Sequence, residues 1–138
     1  MIKLVFCLRR LPHLDRAQFQ HHWRHVHAPL VAERAEVLGL RRYVQSHTLD
    51  DALVQPLAVP RGSPAPFDGV AELWWDSLEA RTGARREDAR RASAELLADE
   101  RRFIDLAASP IFFTDEFAVV GDPAAEAVRD YLQARGRL

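Results

Sequence analysis

The sequence is poor in the residues that covalent or membrane-anchored architectures need. It has one cysteine, Cys7, and no apolar run as long as a membrane-spanning helix. A single cysteine excludes an intramolecular disulfide, so we expect a reducing compartment. The first residues lack the charged, apolar and small-residue order of a signal peptide, so we expect them to be structural. These absences predict a cytoplasmic protein.

The charges are nearly balanced, with 19 basic and 20 acidic residues and a formal net charge of −1. Such a balance creates no strong field toward nucleic acid or an anionic membrane. The chain also lacks a Gly-rich phosphate loop, a G-x-S-x-G elbow and any nucleic-acid motif. We therefore expect neither nucleic acid nor membrane as a partner.

The 138 residues have the composition of one globular domain, because 48% are hydrophobic and 28% are charged. Alternating hydropathy predicts four strands, at Ile2–Arg9, Arg42–Thr48, Gly69–Trp75 and Ile111–Val120. The stretch from Leu49 to Asp68 holds four prolines, so we expect it to be irregular, either as a lid over a site or as a disordered loop.

Two capping boxes predict the helix starts, Asp15 with Gln18 and Asp76 with Glu79. The first helix has an apolar stripe and should extend to Gly39, with a kink at Pro29. The second should extend to about Asp105, with a break near Gly83. A short tail helix is predicted from Asp122-Pro123, with Val128, Tyr131 and Leu132 packing on the body.

The resulting order, β-α-β-β-α-β, predicts an α+β fold of ferredoxin-like topology with a four-stranded antiparallel sheet. Both helices of such a fold cover one face of the sheet and leave the other open. A second copy is the simplest cover for an open face that carries aromatic residues. We therefore predict a homodimer that encloses a small apolar pocket.

Four local patterns resemble the EthD family. They are Phe19-x-x-x-Trp23-x-x-x-His27-Ala28-Pro29-Leu30, Arg42-Tyr43-Val44-Gln45-x-His47, Asp68-Gly69-Val70-Ala71-Glu72-Leu73-Trp74-Trp75-Asp76-Ser77 and Asp99-Glu100-x-x-Phe103-Ile104-Asp105. The resemblance covers roughly residues 1–120 and implies a dimeric α+β barrel, with residues 121–138 as a helical tail packed on the domain or the dimer. That superfamily includes cofactor-free monooxygenases, polyketide cyclases, lactone isomerases and haem-binding proteins. The helix after Trp75 departs from the family pattern by its many arginines.

His27 is the first candidate for a catalytic residue, because it lies at the edge of the apolar stripe of the first helix. An imidazole in a half-dry pocket can exchange a proton near neutral pH, as an enolisable ketone or a phenol requires. The alternative is a structural histidine that bonds a carbonyl freed by Pro29.

His47, Tyr43 and Glu72 complete the candidate catalytic set. Glu72 lies in the middle of the third strand, where a carboxylate needs a partner, and it could orient an imidazole as a carboxylate–histidine pair. The alternative is an ion pair between Glu72 and Arg9 or Arg42.

The sequence does not decide which side of the third strand faces the pocket. Glu72 and Trp74 form one face and Ala71, Leu73 and Trp75 the other, so each face holds a tryptophan. Our ligand-binding candidates are Trp23, Phe6, Trp74 and Phe103.

No metal site is predicted, because the one suggestive pair, His21 and His25, lacks a third ligand. We expect a protein that binds a small apolar ligand, aromatic or polyketide-like, and acts on it without metal or organic cofactor. It would be a cyclase, dehydratase, isomerase or monooxygenase with a histidine base. Two alternatives are a non-catalytic ligand-binding or accessory protein of a degradation pathway and a haem-binding barrel.

Overall fold

The four predicted strands form one antiparallel sheet. The structure is a computed structural model that describes residues 1–82, 86–121 and 133–136. The strands are β1 (Ile2–Leu8), β2 (Arg42–His47), β3 (Gly69–Trp75) and β4 (Ile111–Thr114). They lie in the order β2-β3-β1-β4, which makes β1 and β3 central. This is the ferredoxin-like α+β topology that the sequence predicts.

Short helical elements connect the strands. They are α1 (Arg16–His22), a π-helix (Trp23–His27), α2 (Ala28–Arg34), α3 (Gln55–Ala58), α4 (Leu78–Thr82), α5 (Glu87–Glu100) and 3-10 turns at Asp51–Val54, Val59–Arg61 and Leu106–Ala108. The segment predicted to be irregular therefore contains short helical turns. Arg16 ties it to α1 through a 2.6 Å ion pair with Asp51.

The first helical segment begins as predicted and changes its winding in the middle. Asp15 accepts from the Gln18 amide and Gln18 accepts from the Asp15 amide, which confirms the capping box. The helix predicted to extend to Gly39 with a kink at Pro29 ends at Arg34 and contains a wider turn, in which the Ala28 amide donates to the Trp23 carbonyl, five residues back. This wide turn directly precedes Pro29, which has no amide hydrogen for a regular helix.

Two other boundaries differ from the prediction. The amide of Ala80 donates to the Ser77 hydroxyl, so Ser77 takes the capping role predicted for Asp76. β4 ends at Thr114 rather than Val120. The break near Gly83 and the tail-helix residues lie outside the described residues.

The hydrophobic core lies between the helices and one face of the sheet. Its buried members are Phe6, Leu8, Phe19, Trp23, Ala71, Phe103 and Ile104. Gly69 allows the closest approach, since a Cβ atom at this position would overlap the Trp23 ring. The indole of Trp23 therefore lies in direct contact with the start of β3.

The opposite face of the sheet carries Val5, Cys7, Val70 and Trp74, and the first three of these are only partly buried. Trp74 is covered by side chains of its own face, with the guanidinium of Arg42 4.7 Å from its ring centroid. Among the described residues, no helix is long and apolar enough to cross a membrane.

Candidate functional site

A cavity of about 170 Å³ lies between the sheet and the helices. The described residues around it are mostly apolar and come from the sheet, the helices and the segments that join them. Five of them carry polar or titratable groups: His27, Tyr43, Arg81, Ser93 and Glu100.

The strand residues in the cavity wall show which face of β3 borders this cavity. Ala71, Leu73 and Trp75 line the cavity, together with Phe6 of β1. Since neighbouring strand residues point to opposite faces, Glu72 and Trp74 face away from it. The sequence left open which face would line a pocket, and two of our candidates, Glu72 and Trp74, are not among the described residues that line this cavity.

His27 lies at the end of the π-helix with its ring in the cavity wall, only 6% exposed. Its Nδ1 lies 2.8 Å from Oδ2 of Asp99. A carboxylate partner keeps the proton on Nδ1 and leaves the unprotonated Nε2 for the cavity. Burial lowers the pKa of His27, and the neighbouring Asp99 only partly offsets that effect.

Asp99 is the carboxylate that sequence reasoning assigned to Glu72. It is 3% exposed, lies on α5 and also contacts Nε2 of His22 at 3.1 Å. The pairing of His27 with a carbonyl freed by Pro29 is not observed, because Asp99 occupies Nδ1. One signal in the sequence could have identified Asp99 as a site residue. Asp99 continues the buried stripe of Ala89, Ala92 and Leu96 at helical spacing.

Glu100, the next residue, also lines the cavity and was absent from our candidates. Burial, with the adjacent Asp99 charge as a second cause, raises the pKa of Glu100 to about 7. This carboxyl is therefore partly protonated at neutral pH and can give or take a proton. The paired acids Asp99-Glu100 were visible in the sequence, but nothing local showed that the second would face a cavity.

Tyr43 is held by two donors that point at its hydroxyl oxygen. Trp23 Nε1 donates to it at 3.1 Å and Gln45 Nε2 donates at 3.0 Å. With both acceptor positions in use, the Tyr43 hydroxyl hydrogen is available to the cavity. Burial raises the pKa of Tyr43, so the phenol stays protonated as a donor.

His47 lies behind this group and is not among the described lining residues. Its ring centroid is 4.4 Å from that of Trp23, and its Nε2 lies 2.9 Å from Gln45 Oε1. Burial lowers the pKa of His47, with the nearby Arg24 as a second cause. The Trp23 indole therefore separates His47 from the cavity.

Of the remaining candidates, one packs in the core and two lie on the outer face of the sheet. Phe103 is fully buried beside His27, with ring centroids 5.1 Å apart, and supports the imidazole from behind. Glu72 makes a 2.7 Å ion pair with Lys3, which is a structural pair of the kind considered above but with a different cation. Trp74 Nε1 donates to Glu116 on the same outer face.

No group of three or more histidine, cysteine or acidic residues that could hold a metal ion occurs within the described part of the chain. The His21 and His25 rings do lie side by side, with centroids 4.8 Å apart. They remain a pair.

Comparisons with known proteins agree with the fold. The chain resembles an ethyl tert-butyl ether degradation (EthD) family protein from Bacillus halodurans C-125 at 20% identity, with a TM-score of 0.56 over 85% of this chain and 99% of that one. It also resembles a dimeric protein of ferredoxin-like fold from Bacteroides fragilis, at 9% identity and TM-score 0.52 over 83% and 95% of the two chains.

A third similar structure is a variant of SnoaB, a cofactor-independent oxygenase from Streptomyces nogalater, at 16% identity and TM-score 0.50 over 88% and 97% of the two chains. A search of curated sequences gave no match. The EthD domain model matches residues 11–107, which include α1 through α5, β2, β3 and the Asp99-Glu100 pair. This protein therefore belongs to the EthD domain family.

Proposed function

We propose that this protein binds a small apolar molecule with an aromatic ring in the cavity and moves a proton on it. The observation that carries the proposal is the buried His27–Asp99 pair in the cavity wall. A base within reach of an enolisable ketone or phenol supports the step that cyclases, dehydratases, isomerases and cofactor-free monooxygenases share.

His27 acts as the base in this proposal. Asp99 holds the proton on Nδ1 and stabilises the imidazolium that forms when Nε2 takes a proton from the ligand. The lowered pKa of His27 keeps the imidazole neutral, and so able to accept a proton, down to slightly acidic pH.

Glu100 acts as the acid. Its raised pKa of about 7 and the lowered pKa of His27 give two groups in the wall of one cavity with opposite tasks at the same pH. Two pKa values shifted in opposite directions are typical of acid and base pairs in enzymes. Tyr43 donates its hydroxyl hydrogen to the enolate or phenolate oxygen as charge develops there.

The proposed step uses side chains alone, since a proton moving between carbon, imidazole and carboxyl requires no change of oxidation state. The cofactor-independent oxygenase of similar fold supports this choice. A haem-binding role has less support, because an apolar cavity of about 150 Å³ holds benzene. The cavity observed here is of that size, with about 170 Å³.

The test is exchange of carbon-bound hydrogen in D2O, followed by proton NMR on two aromatic ketones, 1-indanone and phenylacetone. We expect the protein to accelerate loss of the α-proton signals over buffer alone. The rate should rise with pH as His27 loses its proton and fall above about pH 7 as Glu100 ionises. Binding of both ketones without exchange would contradict catalysis and favour the non-catalytic binding role.

We further propose that two copies pair through the outer face of the sheet. Phe112 lies on this face beside Val5 and is 47% exposed in one chain. Two-fold pairing would cover it, and the dimeric Bacteroides fragilis protein of similar fold supports the arrangement.

Light scattering on a dilute, gel-filtered sample should give twice the chain mass of 15.7 kDa. Phe112→Glu should give the single-chain mass, because an unpaired charge would be buried in the interface. Leu53→Glu is the matched control, since Leu53 is exposed on the β2–β3 connection, and it should remain dimeric. A monomeric parent protein would contradict the dimer.

A further inference from the structure

Arg81 lies at the end of the cavity formed by Trp75. It belongs to α4, which follows β3 directly, and its guanidinium lies 5.2 Å from the centroid of the Trp75 ring. Both residues line the cavity. The Trp75 indole is a fixed platform, because it is 3% exposed and its Nε1 donates to the Leu38 carbonyl at 2.9 Å.

The guanidinium of Arg81 has no carboxylate partner among the described residues. Several other arginines do have one, as the ion pairs of Arg10, Arg16 and Arg34 show. Stacking on an aromatic ring uses the flat face of a guanidinium and leaves the N–H groups at its edge free. Arg81 therefore brings unpaired donors and a positive charge to an otherwise apolar end of the cavity.

The cavity is long enough to separate two ends of a ligand. It extends along β3 from Ala71 to Trp75, which is about 13 Å at the usual rise of a strand. The Trp23 ring packs near the Ala71 end, beside Gly69, and Tyr43 is paired with Leu73 in the middle. A ligand with its charged group on Arg81 would therefore place its apolar body along the strand toward Trp23, Tyr43 and His27.

We propose that Arg81 binds a carboxylate of the ligand, so that the molecules taken by this site are apolar, ring-containing carboxylic acids. The planar fork of a guanidinium matches a carboxylate, and Arg81 carries that fork beside the Trp75 ring in the cavity wall. The inference rests on the proposed function, because it assigns the substrate class of the same cavity.

The test compares two probes of equal size, 3-phenylpropanoate and 3-phenylpropanamide, which differ in charge. Dissociation constants are measured by titration calorimetry at low and high salt. The parent protein should bind the carboxylate about tenfold more tightly than the amide, as expected for a hydrogen bond between charged groups. Arg81→Gln should remove the preference by weakening carboxylate binding more than amide binding, and Arg81→Lys should keep part of it.

Arg90→Gln is the matched control, because it removes the same charge from the exposed surface of α5. It should retain the full preference. Equal binding of the two probes by the parent protein, or a preference that survives in Arg81→Gln, would overturn the role of Arg81 and leave the cavity proposal standing. Binding of neither probe at about 10 mM would overturn both.

Discussion

Replacing His27 with glutamine is expected to lower the rate of α-proton exchange by a factor of about 10² to 10⁴, the usual contribution of a positioned general base. Glutamine can still donate a hydrogen bond to Asp99, so the buried carboxylate keeps a partner and the variant should fold. It has no group that accepts a proton near neutral pH. The measurement is the second-order exchange rate constant of 1-indanone, with circular dichroism as the check on folding.

Two controls separate the base from general effects of substitution. His25→Gln changes an exposed histidine of the same π-helix, and Glu72→Gln changes a carboxylate on the outer face of the sheet. Both should keep the parent rate within about twofold, since neither residue is among those lining the cavity. A parent-like rate in His27→Gln would rule out His27 as the base.

Asp99→Asn tests whether the pair acts as a unit. An asparagine amide can donate to Nδ1 and shift the ring proton to Nε2, which removes the lone pair that faces the cavity. We expect a loss of rate similar to that of His27→Gln. The double variant should be little worse than either single one, because residues that act together are not additive.

The features that sequence could predict are those set by neighbours in the chain. The Asp15–Gln18 capping box depends on four consecutive residues, and the structure confirms it. The order of strands and helices follows from hydropathy periods, and it fixes the ferredoxin-like topology with few alternatives. The EthD resemblance adds the family, which the domain match over residues 11–107 confirms.

The candidate site was harder to predict because its members meet only through tertiary packing. His27 and Asp99 are 72 positions apart, and their contact depends on how α5 lies across the end of the π-helix. An acid on a helix is usually a solvated residue, so Asp99 and Glu100 attracted no functional interpretation. Glu72, in contrast, was interpreted as functional because a carboxylate in a central strand is unfavourable without a partner. Its partner is Lys3, which forms an ion pair with it on the outer face.

The open choice between the two faces of β3 has a physical cause as well. Alternation identifies the buried face of a strand only when the opposite face is polar. Here the outer face carries Trp74, whose ring is shielded by Lys3 and Arg42 rather than by a helix. The long side chains of Lys3 and Arg42 thus cover a tryptophan on the outer face. In the sequence, this tryptophan looks like a core residue.

Glu100→Gln is expected to stabilise the protein at pH 8 and to have little effect at pH 5. The folded state holds the Glu100 proton with a pKa of about 7, against an ordinary value of 4.5. Between these values the folded state binds more protons than the unfolded one, so the stability associated with Glu100 is present below pH 4.5 and is lost as pH rises through 7. Glutamine does not titrate and escapes this loss.

The pKa difference sets the size of the effect, which is at most on the order of 3 kcal/mol in the free energy of unfolding. Urea denaturation gives the free energy of unfolding of the parent and the variant at pH 5 and pH 8. The effect is the change between the two pH values in the difference between variant and parent. His27 acts in the opposite sense, since its lowered pKa gives stability that is present above 6.5 and lost as pH falls. This contribution is common to parent and variant and cancels in the comparison.

Glu87→Gln provides the matched control, because Glu87 is exposed at the start of the same helix and its substitution changes the net charge equally. Its effect on stability should differ between pH 5 and pH 8 by less than about 0.5 kcal/mol. If Glu100→Gln showed the same small difference, Glu100 would titrate like a surface acid and could not supply a proton near pH 7. A clear gain at pH 8 would instead show that burial raises the pKa of Glu100 and that its ionised form lowers the stability of the folded chain, as expected of a group retained for chemistry.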